Sequence, residues 1–128
     1  MTRKRNDEHS TEFGLWLREQ KELESSLGFV ASNLDYIWGN YKTGKWMLLE
    51  EKRHGRDVTY SQKQLFKKIH AACNGSENYV GIHLVVFENT SPDDGKIWLD
   101  RKEITKEDLI LFLRFEWING ISQDTKLE

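Results

Sequence analysis

One cysteine and one proline stand in 128 residues. A lone Cys73 excludes an internal disulfide and a thiolate metal cage, both of which need at least a second sulfur. It reads as a core or helix-end thiol, and His70, three positions earlier, makes too loose a pairing to define a Cys/His dyad. No apolar run nears the roughly 20 residues that cross a bilayer. Residues 1–10 are polar and charged, unlike the apolar centre of a signal peptide, so the expectation is a soluble, cytoplasmic chain with no membrane partner. Also missing are the P-loop, GxGxxG, HExxH and GxSxG strings, which leaves no nucleotide cradle, zincin site or hydrolase elbow to build on.

What the chain does have is ordinary globular composition, 38% hydrophobic and 31% charged. That length suits one core, and five Trp supply large buried areas for it. The net charge of −2 is unevenly spread: residues 42–70 hold eight Lys/Arg against three acids. A local positive field is what phosphate binding needs, although a solvated helix face accounts equally for Lys63, Lys67 and Lys68.

Residues 1–10 show no periodicity and read as a flexible arm, 11–119 as a single domain, and 120–128 as a polar tail. Phe13, Trp16, Leu17, Leu23 and Leu27 recur at helical spacing and stop at Gly28, predicting a helix over 11–27. A β-prone 34–38, turn residues over 39–44 and an apolar 45–53 predict a hairpin. A third strand is expected within 53–60. Ser61 then caps a helix to Cys73 with Leu65, Phe66, Ile69 and Ala72 inward. Residues 79–87 are apolar on both faces, as in a central strand, with His83 a satisfied core or edge histidine rather than a ligand. One more strand over 96–100 and a helix from Thr105 through about Trp117 complete an α/β order.

Alternation along a strand turns Glu50 and Lys52 to one face and Glu51 to the other. If 34–38 pairs antiparallel with 46–52, Asp35 falls beside Glu50. Two carboxylates so close repel unless a cation lies between them, and Mg²⁺ or Mn²⁺ takes oxygen ligands of that kind. Lys52 then stands where it can act on a water or on charge developing at phosphate, the outline of metal-assisted phosphodiester hydrolysis.

Asp35, followed fifteen positions on by Glu50-Glu51-Lys52, resembles the D…(D/E)XK signature of the PD-(D/E)XK nuclease superfamily. The resemblance spans about 11–88, with Leu34 where the motif often has Pro. Gln62 with Phe66 looks like the QxxxY motif of RecB-like members, Phe replacing Tyr. It implies a restriction-endonuclease-like core, a central mixed β-sheet flanked by helices, and metal-dependent cleavage of DNA. Asp35 and Glu50 would hold Mg²⁺ or Mn²⁺, and Asp35, Glu50, Lys52, Gln62 and a helix-one acid would be catalytic. On a continuous helix Glu24 shares the apolar face and is the candidate for that acid, with Glu19 in reserve. Lys42, Lys45, Arg53, Arg56, Lys63 and Lys67 are the expected DNA contacts, and a homodimer that cuts two strands is a further expectation. The alternatives are an inactive nuclease-fold subunit that binds nucleic acid or assembles with others, or one part of a larger nuclease complex.

Overall fold

The computed structural model describes residues 11–116. The expected arm over 1–10, Trp117 and the tail over 120–128 lie outside the described residues. The described residues fall into two compact units that divide between Ala31 and Ser32. Among the described residues no helix is long and apolar enough to cross a membrane.

In the first unit, Thr11 caps helix α1, Glu12–Glu19, by accepting the Gly14 N–H at 3.0 Å. The helix predicted over 11–27 is not continuous. Gln20 is extended, and two 3-10 turns follow, Lys21–Leu23 and Ser25–Leu27, separated by an extended Glu24. The cause is visible in the sequence: 18–22 is entirely polar, so nothing there is buried to offset the cost of ordering further turns. Gln20 also bonds back, its Nε2 donating to the Trp16 carbonyl at 3.0 Å.

The second unit holds strands β1 (Tyr36–Gly39), β2 (Trp46–Lys52), β3 (Tyr79–Phe87), β4 (Ile97–Leu99) and β5 (Lys102–Ile104), with helices α2 (Tyr60–Cys73) and α3 (Lys106–Leu113). They form one five-stranded sheet in the order β1-β2-β3-β4-β5. Only β2 and β3 are parallel; the other pairs are antiparallel. A parallel pair needs a crossover, and α2 supplies it. The expected third strand is absent: 53–59 is loop, with His54 and Gly55 left-handed at φ 57° and 69° and their N–H groups bonded to Asn89 and Phe87 carbonyls.

Side-chain alternation gives the sheet two apolar faces. Met47, Leu49, Val85, Phe87, Ile97 and Leu99 pack with Leu109 and Phe112 of α3. Leu48, Ile82 and Leu84 pack with Phe66 of α2. Leu109 and Phe112 are therefore core residues of this unit. On α2 the inward residues are Phe66 and His70, and the expected Ile69 and Ala72 are exposed. The apolar stripe had a polar member that hydropathy hides: His70 enters because its Nδ1 lies 2.8 Å from the Tyr79 hydroxyl. Tyr79 reaches that face through a bulge. Between Trp46 and Leu48 the partner advances from Tyr79 to Ile82, and the extra residue is absorbed with Gly81 at φ 102°.

The short β5 is an element the sequence did not announce. Its hairpin turns through Asp100 and Arg101, both left-handed at φ 50° and 71°, without the usual glycine. Side-chain bonds hold the turn instead. Asp100 Oδ1 accepts the Leu84 N–H at 2.8 Å, and Oδ2 lies 2.7 Å from Nδ1 of His83. His83 is fully buried and its Nε2 donates to the Val80 carbonyl at 2.8 Å, so it is a satisfied core histidine. Asp100→Gly keeps the backbone angle but removes the carboxylate that the buried Leu84 N–H and His83 Nδ1 face, and should destabilise the unit by roughly 2–4 kcal/mol in urea titration with an unchanged slope. A loss below about 0.5 kcal/mol would mean that the backbone alone sets this turn.

Candidate active site at the end of the first hairpin

Asp35 immediately precedes β1, and the register Tyr36↔Leu49 sets it against Glu50. Its side chain closes the hairpin: Asp35 N–H donates to Glu50 Oε1 at 3.2 Å, while Glu51 N–H donates to Asp35 Oδ2 at 2.9 Å. The two acids named from the sequence thus meet at the open end of β1 and β2. Leu48 belongs to the α2 face and Leu49 to the α3 face, which fixes Glu50 and Lys52 on the α2 side and Glu51 opposite.

Glu50 is 2% exposed. Lys52 Nζ stands 3.4 Å from Glu50 Oε2. Between strand and helix lies Gln62, whose Nε2 donates to Glu50 Oε2 at 3.2 Å while its Oε1 accepts from Lys52 Nζ at 2.8 Å. Asp35, Glu50, Lys52 and Gln62 form one connected cluster. Burial, and secondarily the negative charge of Asp35, holds the Glu50 carboxyl above its ordinary range, against the downward pull of Lys52 and of the Asp35 N–H. Phe66, the other half of the QxxxY-like string, is 1% exposed and belongs to the α2 core.

Thr59 is the residue the sequence reading missed. It, not Ser61, is the N-cap of α2, and with Gln62 it forms a capping box. The Thr-x-x-Gln spacing was the available signal. Ser61 stands directly before the apolar periodicity but lies inside the first turn of α2.

Glu24 is exposed in the first unit, between the two 3-10 turns, and accepts a bond from Ser26 Oγ at 2.8 Å. Without a continuous helix the face that selected it does not exist. Glu19, the reserve, is exposed at the end of α1. Lys42 and Lys45 are exposed at the turn end of the hairpin, so Lys45 is about 16 Å along the strand from Glu50. Arg53 pairs with Glu51, Nε to Oε2 at 2.8 Å, and Tyr36 Oη donates to the other oxygen at 3.2 Å. That carboxylate raises the Tyr36 phenol. Glu51 also lines an open, largely apolar groove of about 370 Å³ on the α3 side, with Tyr36, Trp38, Leu109 and Leu113. Arg56 is exposed in the loop before α2; on α2 itself Lys67 and Lys68 are exposed and Lys63 is half-buried.

Among the described residues no group of three or more His, Cys, Asp or Glu side chains converges as a metal cage. Asp35 and Glu50 nonetheless offer two hard oxygen donors, a number with which Mg²⁺ binds when waters and substrate phosphates complete its shell. The donor set fits such an ion. No family model, curated protein or solved structure matches the chain, so the geometry carries the functional argument alone.

A carboxyl raised on folding binds more protons in the folded state than in the unfolded one. Its stabilising contribution is complete below the ordinary value of 4.5 and is lost as pH rises through the folded value. Relative to Glu50→Gln, the wild type should therefore gain stability as pH falls from 7 towards 4.5. Parallel denaturation curves of the two proteins check this, and a difference constant with pH would contradict the burial effect.

Proposed function

We propose that the chain is a metal-dependent nuclease that hydrolyses DNA phosphodiester bonds at Asp35, Glu50 and Lys52, in the manner of the PD-(D/E)XK superfamily. One observation carries the reading: at the end of the hairpin Asp35, through its N–H, is bonded to the buried Glu50 carboxylate, and an ammonium stands 3.4 Å from that same carboxylate. A divalent cation held by Asp35 and Glu50 would neutralise them and polarise the phosphate bound next to it. The chain's own groups do the rest. Glu50, fixed by Asp35 N–H and Gln62 Nε2, keeps its oxygens at one place in a low-dielectric wall. Lys52, its side chain 19% exposed, reaches from that wall towards solvent, where its charge can stabilise a developing oxyanion or orient a water. The DNA backbone would lie along α2, where Lys67 and Lys68 are exposed and Lys63 is half-buried.

A second reading has its own observation. Both Glu50 oxygens and one Asp35 oxygen already accept hydrogen bonds within the protein, as in a purely structural polar cluster. On that reading the chain is an inactive nuclease-fold subunit. Incubation with plasmid, single-stranded and four-way-junction DNA separates the two: cleavage should appear with Mg²⁺ or Mn²⁺ and vanish with EDTA. No cleavage of any of them leaves the structural reading.

Lys52→Ala should lose about 100-fold or more in turnover while Mn²⁺ and DNA binding persist. Glu51→Ala, on the opposite face, should remain near wild type, and an inactive Glu51→Ala beside an active Glu50→Ala would invert the site. Replacing Lys63, Lys67 and Lys68 together with Gln should flatten the dependence of DNA affinity on salt by about one unit of slope per lost phosphate contact. An unchanged slope would return these lysines to a solvated face.

A further inference from the structure

We propose that Thr59, which bonds to neither carboxylate of the site, is a positioning residue for the Lys52 ammonium and acts through Gln62. Only its catalytic consequence rests on the nuclease reading. The positioning follows from four hydrogen bonds. Gln62 N–H donates to Thr59 Oγ1 at 3.2 Å, and Thr59 N–H returns a bond to Gln62 Oε1 at 3.1 Å. Lys52 Nζ donates to that same Oε1 at 2.8 Å, and Gln62 Nε2 donates to Glu50 Oε2 at 3.2 Å.

Two N–H donors converge on Gln62 Oε1, so the amide has one acceptable orientation. The reversed amide would set its NH₂ group against an ammonium and a backbone N–H. With Oε1 placed, Nε2 faces Glu50, and the amide bridges the two charged groups. A glutamine released from this arrangement regains several rotatable torsions and has no reason to hold Lys52. The Thr59 N–H is aimed at Oε1 only while residue 59 keeps the extended N-cap conformation, φ −76° and ψ 165°. The hydroxyl bond to the Gln62 N–H is what secures that conformation. The first turn of α2 therefore serves as a jig: Thr59 sets Gln62, and Gln62 sets Lys52 against Glu50.

Helix α3 supplies a control within the same chain. Thr105 and Asp108 form the same capping box, and their side chains take no part in the Glu50 cluster. The test uses the full chain and follows the lysine ammonium protons by NMR, with the Lys52 resonance assigned by its loss in Lys52→Arg. In the wild type that resonance should exchange with water distinctly more slowly than that of the exposed Lys67. Thr59→Ser and Thr105→Ala should keep the slow exchange, and Thr59→Ala should bring it to the Lys67 rate. Unchanged exchange in Thr59→Ala overturns the proposal, as does equal acceleration in Thr105→Ala, which would mark general loosening. So does a wild-type Lys52 that exchanges as fast as Lys67. In cleavage assays Thr59→Ala should lower kcat about 10-fold with KM unchanged, and Thr59→Ser should restore it. A wild type that cleaves nothing would remove the nuclease reading, and the exchange rates would still decide the positioning of Lys52.

Discussion

Burying a carboxylate is the constraint around which this end of the molecule is arranged. Glu50 extends an apolar run, Met47, Leu48 and Leu49, and is as buried as they are. An ionised group in that position costs several kcal/mol unless its oxygens find donors. Three elements provide them: the chain entering β1 through Asp35 N–H, the end of β2 through Lys52, and the start of α2 through Gln62. Each donor is set by something further out. The hairpin register places Asp35, strand alternation places Lys52, and the Thr59 cap places Gln62. The polar cluster is thus the point where the entry to β1, the end of β2 and the start of the crossover helix α2 are tied together.

The sheet that carries this cluster works because β2 and β3 are buried on both faces. Side chains of one parity meet α3 and those of the other meet α2, so neighbours in sequence can have unrelated surroundings. Glu50 and Glu51 show the consequence. The first is sealed among donors on the α2 side, while the second, on the α3 side, takes a phenol and a guanidinium at the edge of an apolar groove. A one-residue slip of β2 would exchange them, and with them every apolar contact from Met47 to Leu49. Packing of the core and identity of the site acid are therefore set by the same register.

Much of this was legible in the residues themselves. The two-sided apolar run of β3, the hairpin that brings Asp35 to Glu50, and the shared face of Glu50 and Lys52 all follow from period-two patterning, which the structure reproduces. What escaped was set by side-chain hydrogen bonds. His70 counts as polar in a hydropathy pattern, yet it is an inward residue because Tyr79 receives it. Asp100 and Arg101 make a left-handed turn without glycine because His83 and the Leu84 N–H lie within bonding distance of the Asp100 carboxylate. The continuous helix over 11–27 failed for a different reason. Sparse apolar residues can keep helical spacing across a polar gap, but the pattern has no energy to hold the intervening turns, and α1 ends at Glu19.

Stability alone is a poor account of the Glu50 cluster. Buried ion pairs can often be replaced by well-packed apolar side chains of similar volume with no loss of stability, and a fourth apolar residue at position 50 would continue the strand. The fold instead holds a carboxylate whose proton affinity is raised by burial and by a second carboxylate. Beside it stands an ammonium, and a helix cap keeps a glutamine between that ammonium and the nearer oxygen. Perturbed acids with a fixed cationic neighbour, at a strand end where the core gives way to solvent, are what charge-stabilising chemistry requires. Lys52 and Glu51, both half-buried, mark where β2 leaves the core. The cluster is therefore half in the protein's low dielectric and half open to solvent, so that its fixed charges keep their strength on the buried side.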